Sequence, residues 1–122
     1  MFGFTTISID AKGRLAIPAK YRDHLLSQKE ESIVVTRDPQ YPALKIYPGS
    51  IWNQISTELQ SLQGLDPIVR NLQWTILGNA SVSAFDPSGR MLILLPAELR
   101  EYAEIHKTEK VAFIGMGNKF EI

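Results

Sequence analysis

The sequence contains no cysteine. Disulfides, thiolate-held zinc and thiol catalysis are thereby excluded. It also has no net charge, because 13 basic side chains balance 13 acidic ones. The overall balance gives no reason to expect a nucleic-acid partner. Long hydrophobic runs are missing too. The longest, Met91 to Ala97, is far short of the roughly 20 apolar residues that cross a bilayer. The start, Met1 to Ile9, has no basic segment and no small-residue cleavage site. No signal peptide is expected, and the expected compartment is the cytoplasm. There is no Gly-rich phosphate loop, metal cluster or Ser-His-Asp pattern, so neither an enzyme nor a cofactor is expected. His24 and His106 have no ligand partner at metal spacing and read as exposed helix residues.

What is present fits one soluble α+β domain: 122 residues, 44% of them hydrophobic. Charge is unevenly spread. The first 22 residues carry Lys12, Arg14, Lys20 and Arg22 against Asp10 alone. A neutral chain can still present one basic face.

Phe4 to Ile9 is rich in β-branched and aromatic residues and predicts a strand. Asp10 to Arg14 predicts a turn in which Gly13 supplies a positive φ. Leu15 to Ile17 is extended, and Pro18 opens a helix to about Ser27 with Tyr21, Leu25 and Leu26 inward. Strands follow at Ile33–Thr36 and Leu44–Tyr47. Ser50 predicts the N-cap of a helix to about Gln63, with Ile51, Ile55, Leu59 and Leu62 on one face. Asp66-Pro67 starts another helix, ended by Gly78. Ile68, Leu72, Trp74 and Ile76 are expected to pack between these two helices, with Trp74 facing Trp52. Strands are expected at Ser81–Phe85 and Met91–Leu95, then a helix from Pro96 to about Ile105. Lys110–Ile114 and Phe120–Ile122 are the last strands, joined by a turn at Gly115 to Asn118. Phe2 and Phe4 are expected to pack in the core or against a neighbour; exposure would point to an interface.

One pattern occurs twice. Asp10-x-Lys12-Gly13-Arg14, an apolar stretch and Pro18-Ala19-x-Tyr21-Arg22 match Asp86-x-Ser88-Gly89-Arg90, an apolar stretch and Pro96-Ala97-x-Leu99-Arg100. The Asp-to-Arg parts lie 76 residues apart and the Pro-to-Arg parts 78. The second copy therefore holds two extra residues, expected within Met91–Leu95. Neither half would bury a large core alone, so one shared core with a pseudo-twofold axis is expected. A glycine turn can project an arginine from a hairpin end. The arginine fork suits phosphate, or guanine O6 and N7. An Asp–Arg pair closing the turn is the simpler use of the same residues.

At these residues the sequence resembles the MraZ family, within the AbrB-like, swapped-hairpin superfamily. The match runs through Met1-Phe2, Asp10 to Leu15, Ile17-Pro18, Tyr21-Arg22, Asp86, Gly89-Arg90, Leu99-Arg100 and Gly117 to Glu121. The resemblance implies a double-split β-barrel of two halves, 1–64 and 65–122, forming one barrel domain. It implies a regulator, usually a repressor, that binds double-stranded DNA at promoter repeats of the bacterial division and cell-wall gene cluster. It also implies a homo-oligomeric ring associated with the nucleoid. Arg14 is the DNA-contacting residue it implies first, then Lys12 and Arg90, with Arg22 and Arg100 as further basic candidates. Asp10, Gly13, Asp86 and Gly89 shape the turns.

Three features depart from the family pattern. Gly3 stands where members often have a basic residue, so a phosphate contact there is lost or moved. The two-residue insertion bears on the register of Arg90. The chain stops at Ile122, where the family usually continues to a Trp and a helix. Other classes weighed are an antitoxin-like protein binding DNA and a toxin, and a ring-forming interaction protein without DNA binding.

Overall fold

The computed structural model describes residues 1–85, 91–106 and 110–122. Among them are eight strands and four α-helices, a mixed α+β architecture with antiparallel pairing throughout. The first half runs β1 (Phe2–Ser8), β2 (Arg14–Ala16), α1 (Ala19–Ser27), β3 (Ser32–Arg37) and β4 (Leu44–Pro48). A helical segment follows: α2 (Gly49–Ser61), α3 (Pro67–Leu72) and a π-helical turn, Gln73–Leu77. The second half runs β5 (Ser81–Ala84), β6 (Leu92–Leu94), α4 (Ala97–Tyr102), β7 (Lys110–Met116) and β8 (Phe120–Glu121).

Six strands form one sheet in the order β1-β7-β8-β4-β3-β5, and β2 pairs with β6 in a second, two-stranded sheet. Leu15 faces Ile93, flanked by Arg14–Leu94 and Ala16–Leu92. The amide of Ile17 donates to Met91 O and that of Leu95 to Gly13 O, both at 2.9 Å. These bonds are equivalent under a twofold through Leu15 and Ile93. The outer pairings repeat as well. Thr5 of the first half faces Phe113 of the second, and Ser81 of the second faces Val35 of the first.

The core draws on both halves. Leu15, Ile17, Tyr21, Leu25, Val35 and Ile46 meet Met91, Ile93, Leu95, Leu99, Phe113 and Phe120. Tyr21, Phe113 and Phe120 form an aromatic cluster, with ring centroids 4.8–5.9 Å apart. The Tyr21 hydroxyl lies 2.9 Å from Gly3 O and 3.1 Å from Phe2 O, tying the start of β1 to α1.

Pro18 and Pro96 precede α1 and α4 with closely similar backbone angles. Both helices end alike. Lys29 and Glu104 take positive φ; the amide of Glu30 then donates to Leu25 O, and that of Ile105 to Arg100 O. These six-to-one bonds close the last turn and satisfy carbonyls the helix leaves open. Here α4 ends at Tyr102, short of the expected Ile105, and His106 lies beyond the helix.

Several expectations are corrected. The N-cap of α2 is Pro48, and Ser50 instead donates from its amide and hydroxyl to the Glu30 carboxylate. Asp66 does cap α3, accepting from the Ile68 amide at 2.9 Å. Leu26 is exposed. Neither α2 nor α3 has a fully buried residue. Leu62, Ile68 and Trp74 are exposed, so they do not form a packed interface between these helices, whereas Ile76 is buried. Trp52 packs against Tyr47 with the rings tilted, at 6.0 Å between centroids. Phe2 and Phe4, 78% and 65% exposed, lie outside the core.

The insertion also moves. Ile9 and Phe85 each pack at the core just before an aspartate, 76 residues apart, whereas the facing residues Leu15 and Ile93 are 78 apart. The two extra residues thus fall between Phe85 and Met91, not within Met91–Leu95. Pairing fixes this: Met91 already makes the bond that Gly13 makes, and Leu92 opens β6 as Arg14 opens β2.

Candidate nucleic-acid interface

The first turn is built around one carboxylate. Asp10 Oδ1 accepts from the amides of Lys12 (2.9 Å) and Arg14 (2.8 Å). Its Oδ2 accepts from Arg14 Nε at 3.0 Å. The backbone closes the loop, with the Asp10 amide donating to Arg14 O and the Gly13 amide to Asp10 O. Gly13 has φ +79°, a conformation that L side chains rarely adopt. The positive φ at Gly13 and the Asp–Arg pair were legible in the Asp-to-Gly-Arg spacing; the amide bonds to the carboxylate were not.

The Asp10 carboxyl is held below its ordinary value. The Arg14 amide is the largest cause, opposed by partial desolvation and reinforced by Arg14 Nε and the Lys12 amide. A carboxylate that accepts several donors favours its charged form. Arg14 Nε is committed to Asp10, while its two terminal amino groups lie outside that pair. The pair stands at the surface, with side-chain exposures of 39% and 41%.

Arg100 joins this turn from the other half of the chain. Its Nε donates to Leu95 O at 3.0 Å. Its guanidinium carbon lies 3.0 Å from where a Cβ on Gly13 would sit. Gly13 is buried beneath it. Lys12, Arg14 and Arg100 therefore gather at one place. Spacing alone does not bring Arg100 there; the signal was its place in the repeat, combined with a twofold that exchanges the halves.

Arg22, its counterpart, is half-buried on α1 and makes no ion pair with a described residue. Asp86, Gly89 and Arg90 lie outside the described residues.

Gly3 has φ +109°, and Lys20 Nζ lies 3.4 Å from where its Cβ would be. The same ammonium sits 4.9 Å from the Tyr21 ring centroid. A cation therefore stands beside position 3 although position 3 itself is glycine, a placement the sequence reading missed. Among the described residues, no group of three or more His, Asp or Glu side chains could hold a metal ion, and no helix is long and apolar enough to cross a membrane.

Comparison with known proteins agrees with the repeated motif. Residues 1–73 match the family model for the MraZ protein, described as antitoxin-like. A transcriptional regulator MraZ from Nitrosomonas europaea is 48% identical over 120 residues, covering 98% of this chain and 78% of the relative. The proteins of the same name from Nitrosomonas eutropha and Hydrogenovibrio crunogenus are 44% and 42% identical over 120 residues. Each alignment covers 98% of this chain, with 78% and 76% of the relative respectively. With both copies of the turn-and-helix pattern inside these alignments, the chain belongs to the MraZ family.

Proposed function

We propose that this chain is a sequence-specific DNA-binding transcriptional regulator, acting as a repressor at promoter repeats of a bacterial division and cell-wall gene cluster. The relatives' shared name supports regulation of transcription. The observation that carries DNA recognition is the surface turn in which Asp10 holds Arg14 through Nε, with the two terminal amino groups outside that pair. Those two groups are the ones an arginine uses for bidentate pairing with guanine O6 and N7. Lys12, exposed in the same turn, supplies a phosphate contact. Arg22 and Arg90 are proposed as further DNA-contacting residues.

The proposed fold is a double-split β-barrel of two swapped-hairpin halves, 1–64 and 65–122, sharing the core described above. The proposed assembly is a homo-oligomeric ring on the nucleoid. Exposure of Phe2 and Phe4 supports self-association through the β1 edge. A ring repeats one modest site many times, and direct DNA repeats then add affinity through effective concentration.

The test is binding to the duplex upstream of the protein's own operon, against a scrambled duplex, across a salt series. Preference for the operon duplex with a steep negative salt slope is expected. Arg14→Ala should weaken specific binding by about 1–3 kcal/mol while fold and assembly persist. Equal, weak binding of the wild type to both duplexes overturns the reading. Unfolding or dissociation of Arg14→Ala overturns the role given to Arg14.

A further inference from the structure

We propose that Arg100 is a positioning residue, through which the second half of the chain sets the backbone of the DNA-reading turn in the first. This inference rests on the DNA-binding reading above and deepens it. Arg100 is fixed at both ends of a short circuit. Its Nε donates to Leu95 O at 3.0 Å, and the Leu95 amide donates to Gly13 O at 2.9 Å. The guanidinium carbon and Nε then lie against Gly13, in the space a side chain would fill. Gly13 is glycine for two reasons, its positive φ and this close approach.

Lys12 and Arg14 flank Gly13, so a shift of its backbone moves both cations. The planar guanidinium suits this task as a lysine does not: it is rigid, it offers Nε–H in its own plane, and it packs flat. Leu95 and Arg100 belong to the other half of the repeat. The clamp therefore acts across the pseudo-twofold, and a turn encoded at residues 10–14 depends on residues encoded near 95–100.

The decisive variants are Arg100→Lys, which keeps the charge, and Arg100→Gln, which removes it. In the free, intact chain, Arg100→Lys is expected to shift the amide resonances of Lys12, Gly13 and Arg14 while those of α2 stay in place. Unchanged turn amides overturn the proposal, whether or not the protein binds DNA. With DNA, both variants should lose preference for the operon duplex over the scrambled one by about tenfold, the order of one disturbed base contact. The salt slope should stay near the wild-type value in both. A phosphate-contact role predicts the reverse, and overturns the proposal: Arg100→Lys binds as the wild type, while Arg100→Gln loses about 0.9 of slope with its preference intact. Should the wild type itself show no preference, the DNA reading fails, and the amide shifts alone decide whether the clamp exists.

Discussion

The two halves of this chain share one plan and carry it out differently. Each runs strand, short strand, helix and two further strands, and the short strands meet across a twofold at Leu15 and Ile93. In the first half Arg14 is the first residue of β2 and is locked to Asp10. The second half opens β6 with Leu92, and its two additional residues fall before that strand. Its helix is also shorter, six residues against nine. Symmetry is therefore kept where the halves bury each other's side chains and relaxed in helix length and in the number of residues that lead into the short strand. Core contacts tolerate little change in volume or register, whereas exposed turns accept insertions at small cost.

The strongest way to break the comparison is to attack what the halves share. Phe113 is fully buried, 4.8 Å from Phe120 and 5.9 Å from Tyr21 between ring centroids. Phe113→Ala should cost about 3–5 kcal/mol. That is a large part of the roughly 5–15 kcal/mol expected for a domain. Because one core serves both halves, the loss should lower a single cooperative transition. Urea unfolding followed by circular dichroism, and by the methyl resonances of Leu15 and Ile93, tests this. Loss of the Ile93 signal well before that of Leu15 would mean that the halves unfold separately.

A smaller effect tests the Asp10–Arg14 pair that the first half carries. The Asp10 carboxyl titrates below its ordinary value of 3.8 in the folded protein. Its contribution is therefore present above the unfolded value and is lost as pH falls through the lower folded one. Carbon-detected titration of Asp10 should place its midpoint below that of a free aspartate. Asp10→Asn keeps an oxygen for the Lys12 and Arg14 amides but removes the charge facing Arg14 Nε. It should abolish that low-pH step and lower DNA preference by less than Arg14→Ala does. An Asn variant with unaltered preference would show that the ion pair does not orient Arg14.

Much of this organisation was legible in the sequence, for identifiable reasons. Asp10 and Gly13 announce their turn because its geometry needs a short acceptor and a positive φ. Pro18 and Pro96 announce their helices because a proline fits a helix start. The repeat itself showed that two residues had been added. Where they had been added was not legible, since only the β2–β6 pairing reveals that Met91 stands in for Gly13. Nor did the repeat show that Arg100 would cross to the opposite turn, because a twofold exchange is a property of packing. The helical segment misled for a related reason. Ile51, Ile55 and Leu59 recur at helical spacing and do lean inward, half-buried. Periodicity indicates that a face is apolar and says nothing of how much of it another element will cover.

That last point yields the smallest expected effect. Trp74 and Ile76 sit two residues apart in the same π-helical turn, one 70% exposed and the other 8%. The Ile76 carbonyl also accepts the buried Thr36 hydroxyl at 2.6 Å, fixing the turn to β3. Ile76→Ala should therefore cost about 2–5 kcal/mol, as a buried truncation does. Trp74→Ala should change the stability of the isolated protomer by no more than about 0.5 kcal/mol, as a surface substitution does. Urea midpoints at several protein concentrations separate the two effects. If Trp74→Ala is costly only at high concentration, the exposed side of this segment is covered by another copy of the chain. If it is costly at every concentration, the tryptophan packs within its own protomer, and the contrast with Ile76 falls.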